Sequence, residues 1–206
     1  TCLGGTFPQY LLWKPIAIKA AERIHRACSP KVYDQPEIYI PVVDKFTPEG
    51  SSFYIDFLTR KERRHETRAD KCHTNLAVCD SDWELNFCEF LEDDPGVHTY
   101  VRNDGLGFEV PYIYQKRPHN YLPDFIALVN DGHGSSDLLN LIIEIKGLRD
   151  DKAQTKADTM NRLWVPAVNN DGRWGRWAFV EIMDMQDARE KLADYTAGGR
   201  PQQLAE

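Results

Sequence analysis

The pattern of hydrophobic and polar positions along the chain changes near residue 75. Before that point, apolar residues at helical spacing from 11 to 27 predict one helix, which Ser29-Pro30 ends. Two strand-like runs follow at 37–43 and 53–58, with a turn at 48–52 between them. Residues 60–66 are rich in charge, and we expect them to form a solvated connector.

After residue 75 the pattern is that of an α/β domain. Asp80-Ser81 is a favourable helix start, and Trp83, Phe87 and Leu91 form the stripe of a helix that faces a core. Strands are predicted at 97–102, 108–114, 121–129, 138–145 and 176–183, and helices at 153–164, closed by Pro166, and at 185–195. This order predicts a mixed central β-sheet flanked by helices, preceded by an α+β connector.

The composition agrees with a soluble globular protein. With 206 residues, of which 42% are hydrophobic and 28% charged, the chain can form one packed domain with an appendage. It has no apolar run of membrane-spanning length and no signal-peptide pattern, so we expect no membrane partner. The five cysteines include no C-x-x-C pair and are expected to be reduced.

The charge restricts the classes of function. A net charge of −7 argues against a free-standing nucleic-acid-binding protein. The objection weakens if some carboxylates hold a cation, or if another part of a larger protein binds the nucleic acid. Catalysis by a Ser/His/Asp or Cys/His arrangement lacks support, because no Ser or Cys lies in a nucleophile-elbow motif.

The candidate chemistry lies between residues 121 and 147. Pro123-Asp124 opens one predicted strand, and Glu144 and Lys146 lie two positions apart on the next. Residues i and i+2 of a strand project from the same face, about 6.5 Å apart, so Glu144 and Lys146 point one way and Ile145 the other. The Gly- and Asp-rich connection at 130–137 can bring the strands together and place Asp124 beside Glu144.

Two carboxylates that meet at the end of a sheet predict a metal site. They repel each other, and burial raises the pKa of one of them. A hard divalent cation resolves the conflict, since Mg²⁺ takes oxygen ligands from one or two carboxylates, from waters and from a substrate phosphate. In such a site Lys146 can orient the attacking water or stabilise the transition state of phosphodiester hydrolysis.

Two helix residues are candidates for the same site, each with an ordinary alternative. Glu84 lies on the flank of its helix's apolar stripe and can reach inward as a third carboxylate. Equally, Ser81 to Glu84 has the sequence of a capping box. Lys156 lies at the edge of a buried helix face, where it can contact a phosphate or the site, or extend to solvent as an ordinary snorkelling lysine.

A set of short motifs runs in order through about half of the chain. It comprises WE at 83–84, VRN at 101–103, GLGF at 105–108, VPY at 110–112, YLPDFI at 121–126, IEIKG at 143–147, WVPAVN at 164–169 and GRWAF at 175–179. With these motifs the chain resembles the C-terminal PD-(D/E)xK endonuclease domain of the restriction subunits of Type III restriction enzymes and of related helicase–nuclease proteins.

The resemblance implies a restriction-endonuclease-like fold and Mg²⁺-dependent cleavage of double-stranded DNA, with Mn²⁺ as a substitute ion. It implies that Asp124, Glu144 and Lys146 are catalytic, with Glu84 as an accessory acid, and that the metal lies at Asp124, Glu144 and Ile145. Candidate phosphate contacts on the DNA are Lys116, Arg117, Lys152, Lys156 and Arg173.

The resemblance also implies a larger context. Residues 1–70 would connect an ATP-driven helicase motor to the nuclease domain at 71–206, and the missing initiator Met agrees with a piece of a larger subunit. The chain has no phosphate-binding G-x-x-x-x-G-K-[ST] loop, so ATP would act only through that motor. A modification methyltransferase subunit is a further expected partner, and the expected location is the prokaryotic cytoplasm.

Other functions remain open at this stage. A nuclease-like module could bind DNA or a protein without cutting, although Asp124, Glu144 and Lys146 are all present. A structural connector within a motor is a second alternative, which residues 1–70 fit better than the rest. A hydrolase of another phosphoester would use the same metal chemistry, and activity on nucleotides rather than on plasmid DNA would distinguish it.

Overall fold

The computed structural model describes residues 14–28, 38–43, 49–147 and 151–196. The chain divides into two compact units, Thr1–Glu37 and Ile38–Glu206, whereas the sequence suggested a boundary near residue 70. In the first unit the predicted helix is present as α1 (Lys14–Cys28). Its residues Ile18 and Ile24 are exposed.

The second unit is a mixed α/β structure, as predicted. Its strands are β1 (Arg64–Glu66), β2 (Leu76–Val78), β3 (Val97–Arg102), β4 (Val110–Tyr114), β5 (Arg117–Tyr121), β6 (Phe125–Val129), β7 (Leu139–Ile145) and β8 (Arg176–Ile182). Its α-helices are α2 (Asp82–Asp93), α3 (Asp151–Thr159), α4 (Val165–Asp171) and α5 (Met185–Tyr195). A 3₁₀ turn at Ser52–Tyr54 and a π-helical turn at Met160–Trp164 complete the described elements.

The central sheet has four strands in the order β3–β6–β7–β8. The pairs β3–β6 and β6–β7 are antiparallel, and β7–β8 is parallel, so the sheet is mixed as the sequence predicted. The chain passes from β7 to β8 through α3 and α4, the helical crossover that a parallel pair requires. The pairs β1–β2 and β4–β5 form separate two-stranded antiparallel sheets.

Two buried clusters cover opposite faces of the central sheet. On β7, Leu141 and Ile143 belong to the larger cluster and Ile142 to the smaller, the alternation of a strand buried on both faces. The larger cluster includes Phe87 of α2 and Leu192 of α5. The smaller one includes residues of α3 and of the β4–β5 hairpin. Glu144 follows Ile142 at i+2, so it shares the face that α3 and this hairpin cover.

Polar side chains occupy the free edge of the outer strand β8. The side chain of Asn169 accepts a hydrogen bond from the Trp177 N–H at 2.8 Å and donates to the Trp177 carbonyl at 2.9 Å. Tyr195 and Lys191 of α5 donate to the carbonyls of residues 179 and 181. These side chains replace the neighbouring strand that an outer strand lacks.

The two strands predicted between α1 and β1 are not found in the described residues. Residues 38–43 form no strand, and the run at 53–58 begins in the 3₁₀ turn and continues without regular structure. Apolar residues of these two runs, such as Ile40, Val42 and Leu58, are exposed, so neither run forms the buried face of a sheet. Conversely, β1 forms inside the charged stretch that was expected to be only a solvated connector, because it pairs with β2.

The predicted strand at 121–129 is two strands that belong to different sheets. β5 ends at Tyr121 and β6 begins at Phe125. Between them, Pro123 has no N–H for a strand ladder, and its carbonyl accepts a hydrogen bond from the side chain of Asn103 at 3.0 Å. The prediction also missed β5 itself and began β4 at 108, two residues early.

Pro166 does not close the helix at 153–164. The helix instead continues through the π-helical turn into α4, where Pro166 lies in the first turn. The Val165 N–H bonds to the Met160 carbonyl, five residues back. This wider spacing shifts the hydrogen-bond pattern just before Pro166, where a residue without an N–H is tolerated.

Candidate active site

The register of the central sheet places Asp124 beside Glu144. Phe125 pairs with Ile143 in the antiparallel β6–β7 ladder, and Asp124 and Glu144 are the next residues outward on the two chains. The Ile145 N–H donates to Oδ2 of Asp124 at 2.8 Å and holds this carboxylate against the end of β7. The two carboxyl groups that the sequence grouped therefore meet at one end of the sheet.

Asp124 is electrostatically unfavourable as an anion in this position. Burial and the charge of Glu144 raise the pKa of Asp124 to about 7. The Ile145 N–H and the guanidinium of Arg102, whose Nη1 lies 3.8 Å from Oδ1, act in the opposite direction without cancelling the shift. The positive groups around Asp124 in the described structure therefore do not fully stabilise its ionised form at neutral pH.

Glu144 is buried and holds two close polar partners. Lys146 places its Nζ 2.7 Å from Oε1, which confirms that these two residues share one face. The hydroxyl of Tyr121 donates to Oε2 at 2.7 Å. Burial and the charge of Glu144 raise the pKa of Tyr121, so its hydroxyl keeps its proton and remains a donor.

Lys156 reaches the same carboxylate from α3. Its Nζ lies 4.0 Å from Oε1 of Glu144 and 4.5 Å from the centroid of the Tyr121 ring, a cation–π distance. Burial lowers the pKa of Lys156. Burial also acts to lower the pKa of Lys146, but the hydrogen bond and charge of Glu144 outweigh it, so this pKa is raised. Two ammonium groups therefore face Glu144, and Lys156 is a site residue.

Glu84 caps α2 and also pairs with Arg102, while its role as an accessory acid stays a prediction. Ser81 Oγ accepts from the Glu84 N–H at 3.2 Å, and Glu84 Oε2 accepts from the Asp80 N–H at 2.9 Å, a variant of the capping box. The same oxygen lies 2.8 Å from Nη2 of Arg102. Since Nη1 of Arg102 also lies 3.8 Å from Oδ1 of Asp124, Glu84 reaches the site through Arg102.

Two site residues were missed by the sequence reasoning, although both fall within the quoted motifs. Arg102 is the last residue of β3 and is buried, and Tyr121 is the last residue of β5. For Arg102 the available signal was a charged group at the end of a hydrophobic strand, and for Tyr121 it was a polar aromatic residue two positions before Pro123. Each signal becomes specific only when the sheet order brings the strand ends together.

The site offers few protein ligands for Mg²⁺. Among the described residues, no group of three or more His, Cys, Asp or Glu side chains is placed to hold a metal ion. Asp124 and Glu144 nevertheless fit an ion that uses one or two carboxylates together with waters and phosphate. The side chain of Ile145 packs against the larger core cluster and its N–H bonds to Asp124, so its carbonyl is the atom that could join them.

The predicted DNA contacts lie at different distances from this site. Lys152 is exposed on α3, one turn before Lys156. Lys116 and Arg117 are exposed at the turn of the β4–β5 hairpin, four or five residues from Tyr121 and so roughly 13–17 Å along the strand. DNA binding by each of them stays a prediction.

Arg173 is at the other end of the sheet. It lies just before Arg176, which pairs with Leu139 at the start of β7, whereas the carboxylates lie at the end of β7. Its guanidinium is paired with Asp171 at 2.7 Å. The structure therefore does not bring Arg173 to the site, and its proposed contact with DNA has no support from proximity.

Comparison of the chain with protein-family models, with curated proteins and with solved structures found no match.

No helix in the described part of the chain is both long and apolar enough to cross a membrane.

Proposed function

We propose that this chain is a divalent-metal-dependent nuclease that hydrolyses phosphodiester bonds of double-stranded DNA, with a restriction-endonuclease-like fold. The observation that carries the proposal is the meeting of Asp124 and Glu144 at the end of the sheet, with Lys146 2.7 Å from Glu144. The two adjacent carboxylates, one buried and the other partly buried, repel each other, and Lys146 contacts only Glu144 at close range. They suit a cation and a phosphodiester.

Each residue has a defined task in this proposal. Asp124 and Glu144 provide the carboxylate oxygens for Mg²⁺, which when bound polarises the phosphoryl group and offsets negative charge in the transition state. Lys146 and Lys156 present ammonium groups to the phosphodiester, and Lys146 is placed to orient the attacking water. Tyr121 fixes the Glu144 side chain through its 2.7 Å hydrogen bond.

The choice of duplex DNA as substrate comes from the motif resemblance to Type III restriction subunits. A net charge of −7 fits a domain that cuts DNA held by another part of the same protein, such as a helicase motor. In that setting ATP and a modification methyltransferase subunit belong to the larger assembly. The Lys116–Arg117 turn and Lys152 are the described basic groups from which phosphate contacts would extend.

The direct test is cleavage of supercoiled plasmid at low salt by the wild-type chain with Mg²⁺, with Mn²⁺ and with EDTA. We expect metal-dependent cutting that falls by on the order of 10²–10³-fold in Lys146→Ala, since a charge-stabilising group at the transition state is lost. We expect Asp124→Ala to be at least as damaging.

Matched control variants are available elsewhere on the molecule. Asp93→Ala removes an exposed carboxylate at the end of α2, and Lys19→Ala removes an exposed ammonium group on α1. Both should cut as the wild type does. Cutting that survives both Asp124→Ala and Lys146→Ala would refute the proposed site, and hydrolysis of nucleotides but not of plasmid would redirect it to another phosphoester.

A non-cleaving nuclease-like module is the second candidate. It is favoured by the close partners of Glu144, whose two carboxylate oxygens contact Lys146 and Tyr121 at 2.7 Å each. Calorimetry separates the two candidates. A chain that binds duplex DNA but shows no heat of Mg²⁺ or Mn²⁺ binding would support the non-cleaving module.

A further inference from the structure

Arg102 is a buried cation enclosed by carboxylates next to Asp124. Its side chain is only 6% exposed, and its guanidinium lies 2.8 Å from Glu84, 3.2 Å from Asp80 and 3.2 Å from Asp104. Asp124 follows at 3.8 Å. Arg102 is thus shared by the N-terminal end of α2, the end of β3 and the residue that precedes β6.

A second metal ion at this site would need the two carboxylates, Asp124 and Glu84, that the Arg102 guanidinium already approaches. In two-metal phosphodiester sites the ions lie about 3.5–4 Å apart. Two divalent ions at that separation need a carboxylate between them, so a second ion here would use the Asp124 oxygen that Ile145 leaves free. It would also need a further carboxylate, and Glu84 is the buried candidate. Arg102 already lies between Asp124 and Glu84.

Arg102 is held firmly in this position. Its Nε donates to the Val78 carbonyl at 2.5 Å, and its guanidinium lies 5.3 Å from the centroid of the Phe125 ring. Moving it aside would leave Glu84 buried without its cation. Breaking a buried ion pair on one side is costly, because the remaining charge is uncompensated. An incoming ion would therefore have to displace a cation that is fixed by hydrogen bonds, charge and ring packing.

The local charge balance agrees with a single ion. The acidic groups around Arg102 and the candidate metal site are Asp80, Glu84, Asp104, Asp124, Glu144 and Glu181, and the basic groups near them in the described structure are Lys61, Arg102, Lys146, Lys152 and Lys156. One divalent ion and one bound phosphodiester bring this set to neutrality. A second divalent ion would leave two uncompensated positive charges in a partly buried site.

We infer that Arg102 occupies the position of a second cation, so that the site binds one divalent ion and Arg102 supplies the adjoining positive charge. Arg102 is in this view a positioning residue for Asp124, held by Glu84. The inference rests on the proposed function, since it assigns the number of ions at that same site.

The test is a count of Mn²⁺ ions bound per chain, by electron paramagnetic resonance of free Mn²⁺ and by calorimetry, with no cleavage measured. We expect one ion on the wild type. Glu84→Gln should still bind one, with an affinity changed by less than about tenfold, because Glu84 contacts Arg102 and no ion. Arg102→Met should bind two, because Glu84 and Asp124 lose their shared cation. Arg63→Met, which removes an exposed arginine paired with Asp82, is the matched control and should bind one.

The outcomes separate this inference from the proposed function. Two ions on the wild type, with a drop to one in Glu84→Gln, would overturn the inference and leave the nuclease proposal intact. A folded Arg102→Met chain that binds only one ion would also overturn it. No ion on the wild type would refute the metal site itself. If Arg102→Met fails to fold, as judged by circular dichroism, the wild type and Glu84→Gln decide the count.

Discussion

Asp124 and Asp131 flank the same strand, β6, and have opposite electrostatic surroundings. Asp131 is buried and is paired with the guanidinium of Arg176 at 2.6 and 2.9 Å, with His133 beside it at 3.0 Å. Arg176 lowers the pKa of Asp131. At the other end of β6, burial and Glu144 raise the pKa of Asp124 to about 7.

The difference shows that the two ends of the sheet serve different purposes. The Asp131 end joins the β6–β7 connection to the start of β8 and satisfies its buried charge within the protein. The Asp124 end retains a repulsion that the described groups do not remove, at the place where the proposed cation binds. A functional site often contains charges that lower the stability of the free protein, because a bound ligand neutralises them. Three measurements test whether the Asp131 end stabilises the fold and the charge of Asp124 opposes it.

Arg176→Met should have the largest effect on stability. It leaves Asp131 buried with only the His133 ring beside it among its described side-chain partners, and we expect a loss of about 3 kcal/mol in the free energy of unfolding. This is the lower end of the range for a broken buried pair, because Arg176 is partly exposed. The pair lowers the folded pKa of Asp131, so its contribution is present above about pH 4 and is lost as the pH falls further.

Urea unfolding at pH 7 measures this loss. Arg162→Met is the control, because it breaks only the exposed pair with Asp158 and should change stability by less than about 0.5 kcal/mol. Equal effects of the two substitutions would mean that the Asp131 end is not the stabilising end.

Asp124→Asn should stabilise the metal-free protein by about 2 kcal/mol at pH 8. A carboxyl group whose folded pKa of about 7 exceeds its unfolded value of about 3.9 favours folding below pH 4 and loses that contribution as the pH rises through 7. The asparagine does not ionise, and its carbonyl can still accept from the Ile145 N–H.

The check is the free energy of unfolding in EDTA at pH 4, 6 and 8 for both chains. The advantage of the variant should be absent at pH 4 and should grow toward pH 8. A constant difference across this range would show that charge at Asp124 is not its origin.

Added Mg²⁺ should have the smallest of the three effects. A ligand that binds only the folded chain stabilises it by about 1.4 kcal/mol at ten times its dissociation constant. We expect a rise in Tm with Mg²⁺ for the wild type and for Arg176→Met, and none for Asp124→Asn. A rise that persists in Asp124→Asn would place the ion elsewhere on the chain.

The central residues of the site could be predicted because they follow from local rules. The i, i+2 relation fixes Glu144 and Lys146 on one face, and their 2.7 Å contact confirms it. The turn-rich connection after β6 returns the chain antiparallel, which puts Asp124 at the right register. Glu84 is more instructive, since the capping box is visible in sequence whereas its pairing with Arg102 depends on how α2 packs on β3.

The remaining features depend on tertiary structure that no local pattern encodes. Tyr121 reads as the start of one long strand, yet it ends β5 and points its hydroxyl at Glu144. Pro166 reads as a helix stop, but the π-helical turn before it shifts the hydrogen bonds and lets the helix continue. The run at 38–43 reads as a strand, but within the described ranges it pairs with no other strand.

The covered edge of β8 has a consequence for how the protein behaves at high concentration. An outer strand with open backbone groups is a template on which another chain can add a strand and begin to aggregate. On β8, the side chains of Asn169, Lys191 and Tyr195 already bond to the Trp177 N–H and to the carbonyls of residues 177, 179 and 181. Since they belong to α4 and α5, partial opening of these helices is enough to uncover the edge. Self-association would then follow the local stability of α4 and α5 more closely than the global stability of the fold.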